Sequence, residues 1–138
     1  MVNNIEYKTN DKISVDEFIE VLVESTLGER RPIDDHPRIE KMLSHANLII
    51  TARDNGQLVG VARSITDFSY CTYLSDLAVS KNYQHYGIGK ELIRKTKLAS
   101  EPAKLILLSA PAAVDYYPKI GMTRHNHCYF IDNIDLLK

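Results

Sequence analysis

The stretch Leu77-Ala78-Val79-Ser80-Lys81-Asn82-Tyr83-Gln84-His85-Tyr86-Gly87-Ile88-Gly89-Lys90-Glu91-Leu92 runs from β-forming residues through a polar loop into a helical pattern. The change falls at Gly87-Ile88-Gly89, where two of three residues carry no side chain and a ligand can approach the backbone closely. The first N–H groups of a helix lack partners within it and sit at the positive end of its dipole, so this turn is a ready anion site. Lys90, Arg94, Lys95 and Lys97 add positive charge along the same helix. Taken alone, the glycines suit a sharp turn with close packing as well as they suit a phosphate, and the lysines suit a solvated face.

Working outward, residues 70–79 read as the strand that feeds this loop. Before it, residues 48–53 and 58–65 are two β-rich runs joined by Asp54-Asn55-Gly56, an antiparallel hairpin because Asn-Gly accepts the positive φ of a tight turn. Ile5 and Tyr7 alternate with polar neighbours over 3–9, a first strand. Ser14 and Glu17 form a capping-box pair, and Val15, Phe18, Ile19, Leu22, Val23 and Thr26 share one stripe, so a helix is expected over 15–26, stopped near Gly28. A shorter helix follows Asp35, with Pro37 in its first turn and Ile39, Met42, Leu43 and Ala46 inward. Downstream, a helix over 87–100 buries Ile88, Leu92, Ile93, Thr96 and Ala99 and is closed by Pro102. Residues 105–108 form a short apolar strand covered on both faces. Pro111 opens a brief helix that Pro118 interrupts at Tyr117, and the tail over 122–134 reads as strand. The order describes a single domain of mixed α/β class around one sheet.

With 138 residues the chain suits one core. Hydrophobic residues make up 44% and charged residues 25%, an ordinary globular balance that excludes disorder and fibrous repeats. Seventeen basic residues against 18 acidic ones leave a net charge of -1, which asks for no nucleic acid and no anionic membrane. No apolar run approaches the roughly 20 residues of a membrane span. Met1-Val2-Asn3-Asn4 opens no signal-peptide pattern, and a cytoplasmic location is expected. Cys71 and Cys128 suggest free thiols in a reducing compartment rather than a disulfide framework or zinc site.

The segment 77–92 resembles the central motif of the GNAT acyltransferases, in which an apolar strand leads into a Gln/Arg-x-x-Gly-x-Gly/Ala loop and a helix. Independently, residues 113–121, with Tyr116-Tyr117-Pro118-Lys119-Ile120-Gly121, are similar to the family's later Ala-x-x-Phe/Leu-Tyr-x-x-x-Gly-Phe motif. The resemblance implies a central, mostly antiparallel twisted sheet with helices on both faces, and acetyl transfer from acetyl-CoA to a primary amine by direct attack. It also implies a coenzyme-binding set of Leu77, Ala78, Val79, Gln84, His85, Tyr86, Gly87, Ile88, Gly89 and Lys90. Leu77 and Val79 would serve through their main chain, in a gap where strand 70–79 splays from strand 105–109, and the later residues would hold the pyrophosphate. The chain departs from the pattern at Ala110, where family members often carry a coenzyme-holding Asn. It departs again at Pro118 and in its short tail, which implies a truncated final strand pair.

By the same resemblance Tyr117 donates to the departing thiolate, with Tyr116 as the core member of the pair. The alternative is that Tyr117 is an amphipathic core residue. Asp76, placed by the period of two on the same side as Leu74 and Ala78, is a candidate base acting through water, and Asp67 is a second. Equally, Asp76 is a structural acceptor and Asp67 an exposed loop residue. His125 and His127 have metal-ligand spacing but no third ligand, so no metal is expected. Arg30, Arg31, Asp34 and Asp35 lie on the loop that roofs the acceptor pocket in this family; if the loop binds substrate, the arginines favour a carboxylate or phosphate. A non-catalytic acyl-CoA sensor of the same fold is the alternative function. A nucleotide-binding domain is disfavoured because Gly-x-x-x-x-Gly-Lys-Ser/Thr is absent. A homodimer is expected from family habit.

Overall fold

The computed structural model describes residues 4–138; the expected start of the first strand at residue 3 and the end Met1-Val2-Asn3 lie outside them. The chain divides into two compact units, Met1–Leu108 and Ser109–Lys138. In the larger unit the order is β1 (Ile5–Thr9), α1 (Val15–Glu24), α2 (His36–His45), β2 (Leu48–Asp54), β3 (Gln57–Thr66), β4 (Cys71–Val79), α3 (Ile88–Ala99) and β5 (Lys104–Ile106). The strands form one sheet in the order β1-β2-β3-β4-β5, antiparallel throughout except for the parallel pair β4 and β5.

Local chemistry explains these elements. Ser14 Oγ accepts from the Glu17 N–H at 3.1 Å and a Glu17 carboxylate oxygen accepts from the Ser14 N–H at 2.9 Å, so the capping box is closed. α1 stops at Glu24, two residues short of the expected end, because Thr26 takes a left-handed φ of 72°. The hairpin between β2 and β3 turns on Asn55 and Gly56, whose φ of 49° and 86° are those the Asn-Gly pair was expected to supply.

Helices cover both faces. Phe18, Val21, Leu22 and Ile39 of α1 and α2 pack on Ile49, Leu58, Val61 and Ala78. On the other face Ile88 and Leu92 of α3 pack on Leu48, Ile50, Ala52, Val59, Ala62 and Leu74. Leu74 and Ala78 thus lie on opposite faces, against the expectation that they share one. The cause is a bulge: Arg63 pairs with Asp76 but Ser64 with Leu74, leaving Ser75 as an extra residue. One unpaired residue inverts the alternation, so Asp76 keeps company with Ala78 and not with Leu74.

Ser64, fully buried on β3, is the exception to a well-paired interior, since its Oγ has no hydrogen-bond partner among the described residues. Ser64→Ala removes a desolvated hydroxyl and little volume. It is expected to raise stability by about 1 kcal/mol, read as a higher urea midpoint at unchanged slope.

In the smaller unit a 3-10 turn over Pro111–Ala113 precedes α4 (Tyr116–Lys119), and a second such turn spans Ile134–Leu136. Pro118 does not end the helix at Tyr117. It sits in the first turn of α4, where a missing N–H forfeits no bond. Gly121, at a φ of 99°, closes the segment. The strand expected over 122–134 is not formed. Its β-forming residues Tyr129, Phe130 and Ile131 are exposed, and β-propensity expresses itself only on a pleated surface with neighbours to pack against. Among the described residues no helix is long and apolar enough to cross a membrane.

Candidate active site

The loop after β4 is held from three sides. The Ser80 N–H donates to Val59 O at 2.9 Å, Tyr83 Oη donates to an Asp54 carboxylate oxygen at 2.6 Å, and Gln84 Nε2 donates to Val79 O at 2.9 Å. The chain then turns through His85 and Gly87, both left-handed at φ 69° and 81°, into α3. A Cβ built on Gly87 would have no atom within 4 Å, so the turn faces open space. No side chain caps α3; its first internal bond runs from the Glu91 N–H to Gly87 O. The N–H groups of Ile88, Gly89 and Lys90 have no partner among the described residues. They point out of the positive end of a twelve-residue helix. His85, Tyr86, Gly87 and Lys90 are exposed around them, while the Ile88 side chain is buried as an anchor.

Gly60 sets how closely that helix end approaches the sheet. A Cβ there would stand 3.2 Å from Ile88 Cγ2 and 3.2 Å from Leu92 Cδ1. A glycine inside an apolar strand is the sequence signal for such an approach.

β4 pairs with β5 only from Cys71 to Tyr73. Antiparallel pairing with β3 turns alternate main-chain groups inward, and the Ser80 bond to Val59 fixes which. Residues 76, 78 and 80 address β3. Leu77 and Val79 therefore direct their N–H and C=O to the side that β5 leaves bare. Their side chains pack on the α3 face, and Ala78 packs on the other.

Asp76 has no accessible surface. One carboxylate oxygen accepts from Arg31 Nε at 2.5 Å and the other from Arg63 Nε. Arg31 also donates to Ser75 O at 2.8 Å and to Arg30 O at 2.8 Å; Arg63 donates to Met42 O at 3.1 Å and Ser75 Oγ at 3.0 Å. A carboxylate without accessible surface, each oxygen taken up by an arginine, fits the structural-acceptor reading of Asp76. Arg63 belongs to no motif, and its one signal in the sequence is that an arginine inside a strand as apolar as β3 calls for a buried partner.

Asp67 is likewise committed. Its Oδ1 accepts from the N–H groups of Tyr70, Ser69 and Cys71 at 2.8, 2.9 and 3.0 Å, and these bonds hold its pKa down to about 2. A carboxylate so stabilised in its ionised form closes a turn and makes a poor base.

In the smaller unit the Tyr116 and Tyr117 rings meet edge to face, 5.3 Å apart. Tyr117 is the more enclosed of the two and Tyr116 the exposed one, the reverse of the expected assignment. Burial, and secondarily Tyr116, pushes the Tyr117 phenol above its ordinary pKa, so it keeps its proton at neutral pH. His125 and His127 are exposed, and no group of three or more metal-ligating side chains occurs among the described residues.

Residues 28–138 match the acetyltransferase (GNAT) domain family. An N-acetyltransferase named ycf52 and described as uncharacterized, from Pyropia yezoensis, is 27% identical over 88% of this chain and 75% of its own length. A GNAT-family acetyltransferase from Streptococcus pneumoniae superposes with a TM-score of 0.72 at 22% identity, covering 95% of this chain and 98% of that one. The aminoglycoside N-acetyltransferase AAC(6')-Iy, solved in complex with CoA, does so with a TM-score of 0.72 at 14% identity over 95% of each chain. These two solved structures show likeness of fold. With a family match across most of its length, on a sheet flanked by helices and opened between β4 and β5, this chain belongs to the GNAT acetyltransferases and is an acyltransferase enzyme.

Proposed function

We propose that the protein transfers the acetyl group of acetyl-CoA to a primary amine by direct attack in a ternary complex. The observation that carries the reading is the set of unpartnered N–H groups of Ile88, Gly89 and Lys90, at the end of a helix that Gly60 draws against the sheet. Three donors in one turn, with no side chain capping them, suit a pyrophosphate. The bare edge of β4 at Leu77 and Val79 suits an amide-bearing chain laid alongside like a strand. Gln84 supports this set by holding Val79 O, and Ala78 by anchoring the strand to the core.

Acetyl-CoA supplies an activated thioester. In this reading the Leu77 N–H, on the bare edge of β4, would donate to the oxygen on which charge develops, and a preorganised donor of this kind is a large catalytic contribution. The amine nitrogen bonds to the acetyl carbon, the carbon–sulfur bond breaks, the amine loses a proton to solvent and the thiolate takes one up. Tyr117 is the proposed donor to that sulfur. Transfer from a phenol near 10 to a thiolate near 8.5 is uphill by about 2 kcal/mol, and burial raises the phenol further, so Tyr117 acts as a hydrogen-bond donor and relay.

Free thiol is expected to appear from acetyl-CoA when an accepted amine is added. Tyr117→Phe is expected to lower kcat by on the order of a hundredfold while coenzyme affinity, measured by calorimetry, stays as in the wild type. A sensor of the same fold would release no thiol with any amine. The reading puts the enzyme in the cytoplasm, where exposed Cys71 and Cys128 stay free thiols, and as a homodimer, which sedimentation tests.

A further inference from the structure

The Arg31–Asp76–Arg63 cluster carries more charge than it cancels. Two guanidinium groups surround one carboxylate and leave one positive charge over. Among the described residues neither arginine has a second acidic partner, and of the acids on the same loop Asp35 is spent capping α2. Arg63 is enclosed, with its side chain 7% exposed, but that of Arg31 keeps 21%. Three donations by Arg31, to Asp76, Ser75 and Arg30, leave two of its five N–H groups unused. The excess charge is therefore fixed in place, about one-fifth exposed at Arg31, and supplied with unused donors on a planar group.

Its position gives it a use. Arg31 grips Ser75 O, two residues and roughly 7 Å along β4 from the Leu77 main chain. The bulge at Ser75 puts Asp76 with Ala78 and the α1–α2 face, away from α3 and its pyrophosphate turn. A positive charge next to the acyl-transfer edge, but on the face the coenzyme's phosphates do not occupy, is placed for the other substrate.

We propose that the acceptor is an anionic amine, carrying a carboxylate or phosphate a few bonds from its nitrogen, and that Arg31 is the residue that selects it. This rests on the acetyltransferase reading above. The anion completes the guanidinium fork in the bidentate manner arginine favours, while Asp76 and Arg63 hold that fork still. A polycationic amine meets the uncancelled charge and is rejected.

The test is a panel of matched amines with saturating acetyl-CoA: an amino acid against its carboxamide, an aminoalkyl phosphate against the aminoalkyl alcohol, and a polyamine. At least one anionic member is expected to exceed its neutral counterpart about tenfold or more in kcat/KM, the two arms separating carboxylate from phosphate. Arg31→Met is expected to erase that preference by raising the acceptor KM, with coenzyme affinity unchanged. Equal or better turnover of the neutral members, preference for the polyamine, no release with any anionic amine, or loss of coenzyme affinity in Arg31→Met would each overturn the proposal. The wild-type panel decides even where the variant folds poorly. Wild-type protein that binds no acetyl-CoA defeats this proposal and the reading beneath it, whereas coenzyme binding and thiol release without anion preference defeat this one alone.

Discussion

Gly89→Glu is expected to abolish coenzyme binding while leaving the fold as stable as before, or slightly more so. Gly89 is the second residue of α3, between the unpartnered N–H groups of Ile88 and Lys90. A carboxylate there adds bulk and negative charge beside the three N–H groups proposed to hold the pyrophosphate. For the helix the same change is favourable. Glutamate has a higher helix propensity than glycine by roughly 0.5–1 kcal/mol, and an acid in the first turn suits the dipole by about another 0.3–1 kcal/mol. The two effects have opposite signs, so an unfolded variant is not mistaken for a site variant. Calorimetry should find affinity for acetyl-CoA weakened at least about a hundredfold, with a thermal midpoint at or above that of the wild type. Unaltered affinity refutes the proposed pocket.

Asp76→Ala is expected to be the most destabilising single change in the sheet. With the carboxylate gone, Arg63 and Arg31 lose the acceptor that both Nε atoms share, and Arg63 cannot reach water without breaking its bonds to Met42 O and Ser75 Oγ. Breaking a buried pair by removing one partner costs about 3–5 kcal/mol, a large fraction of the 5–15 kcal/mol that holds a typical domain together. Asp76→Asn keeps an acceptor oxygen and should lose distinctly less. Urea unfolding of both variants against wild type measures the difference, and an Asp76→Ala midpoint within error of wild type would contradict this arrangement.

Much of the architecture was legible because it rests on local chemistry. The Asn55-Gly56 hairpin, the Ser14–Glu17 box and the helix opening at Gly87 each follow from what a few adjacent residues can do, and the structure places them as expected. Side-chain direction along β4 was not legible. The period of two assumes an unbroken ladder, and nothing in Cys71-Thr72-Tyr73-Leu74-Ser75-Asp76 marks Ser75 as the residue left over; the bulge is fixed by pairing with β3. The same holds for the partners of Asp76, which come from residues 13 and 45 positions away. Tyr116 and the tail failed for a related reason. Residue type there suggested burial or strand, while exposure depends on neighbours that sequence periodicity does not contain.

The extra residue in β4 also limits how this enzyme can change. Remove that one serine and the ladder closes up with residues 74 and 76 still facing opposite sides, but Arg31 loses the carbonyl it grips and Arg63 the hydroxyl, so the cation pair is less firmly held. A deletion elsewhere in this strand, where the ladder is already regular, turns each later side chain to the other face, so new acceptors are reached by exchanging side chains at constant length.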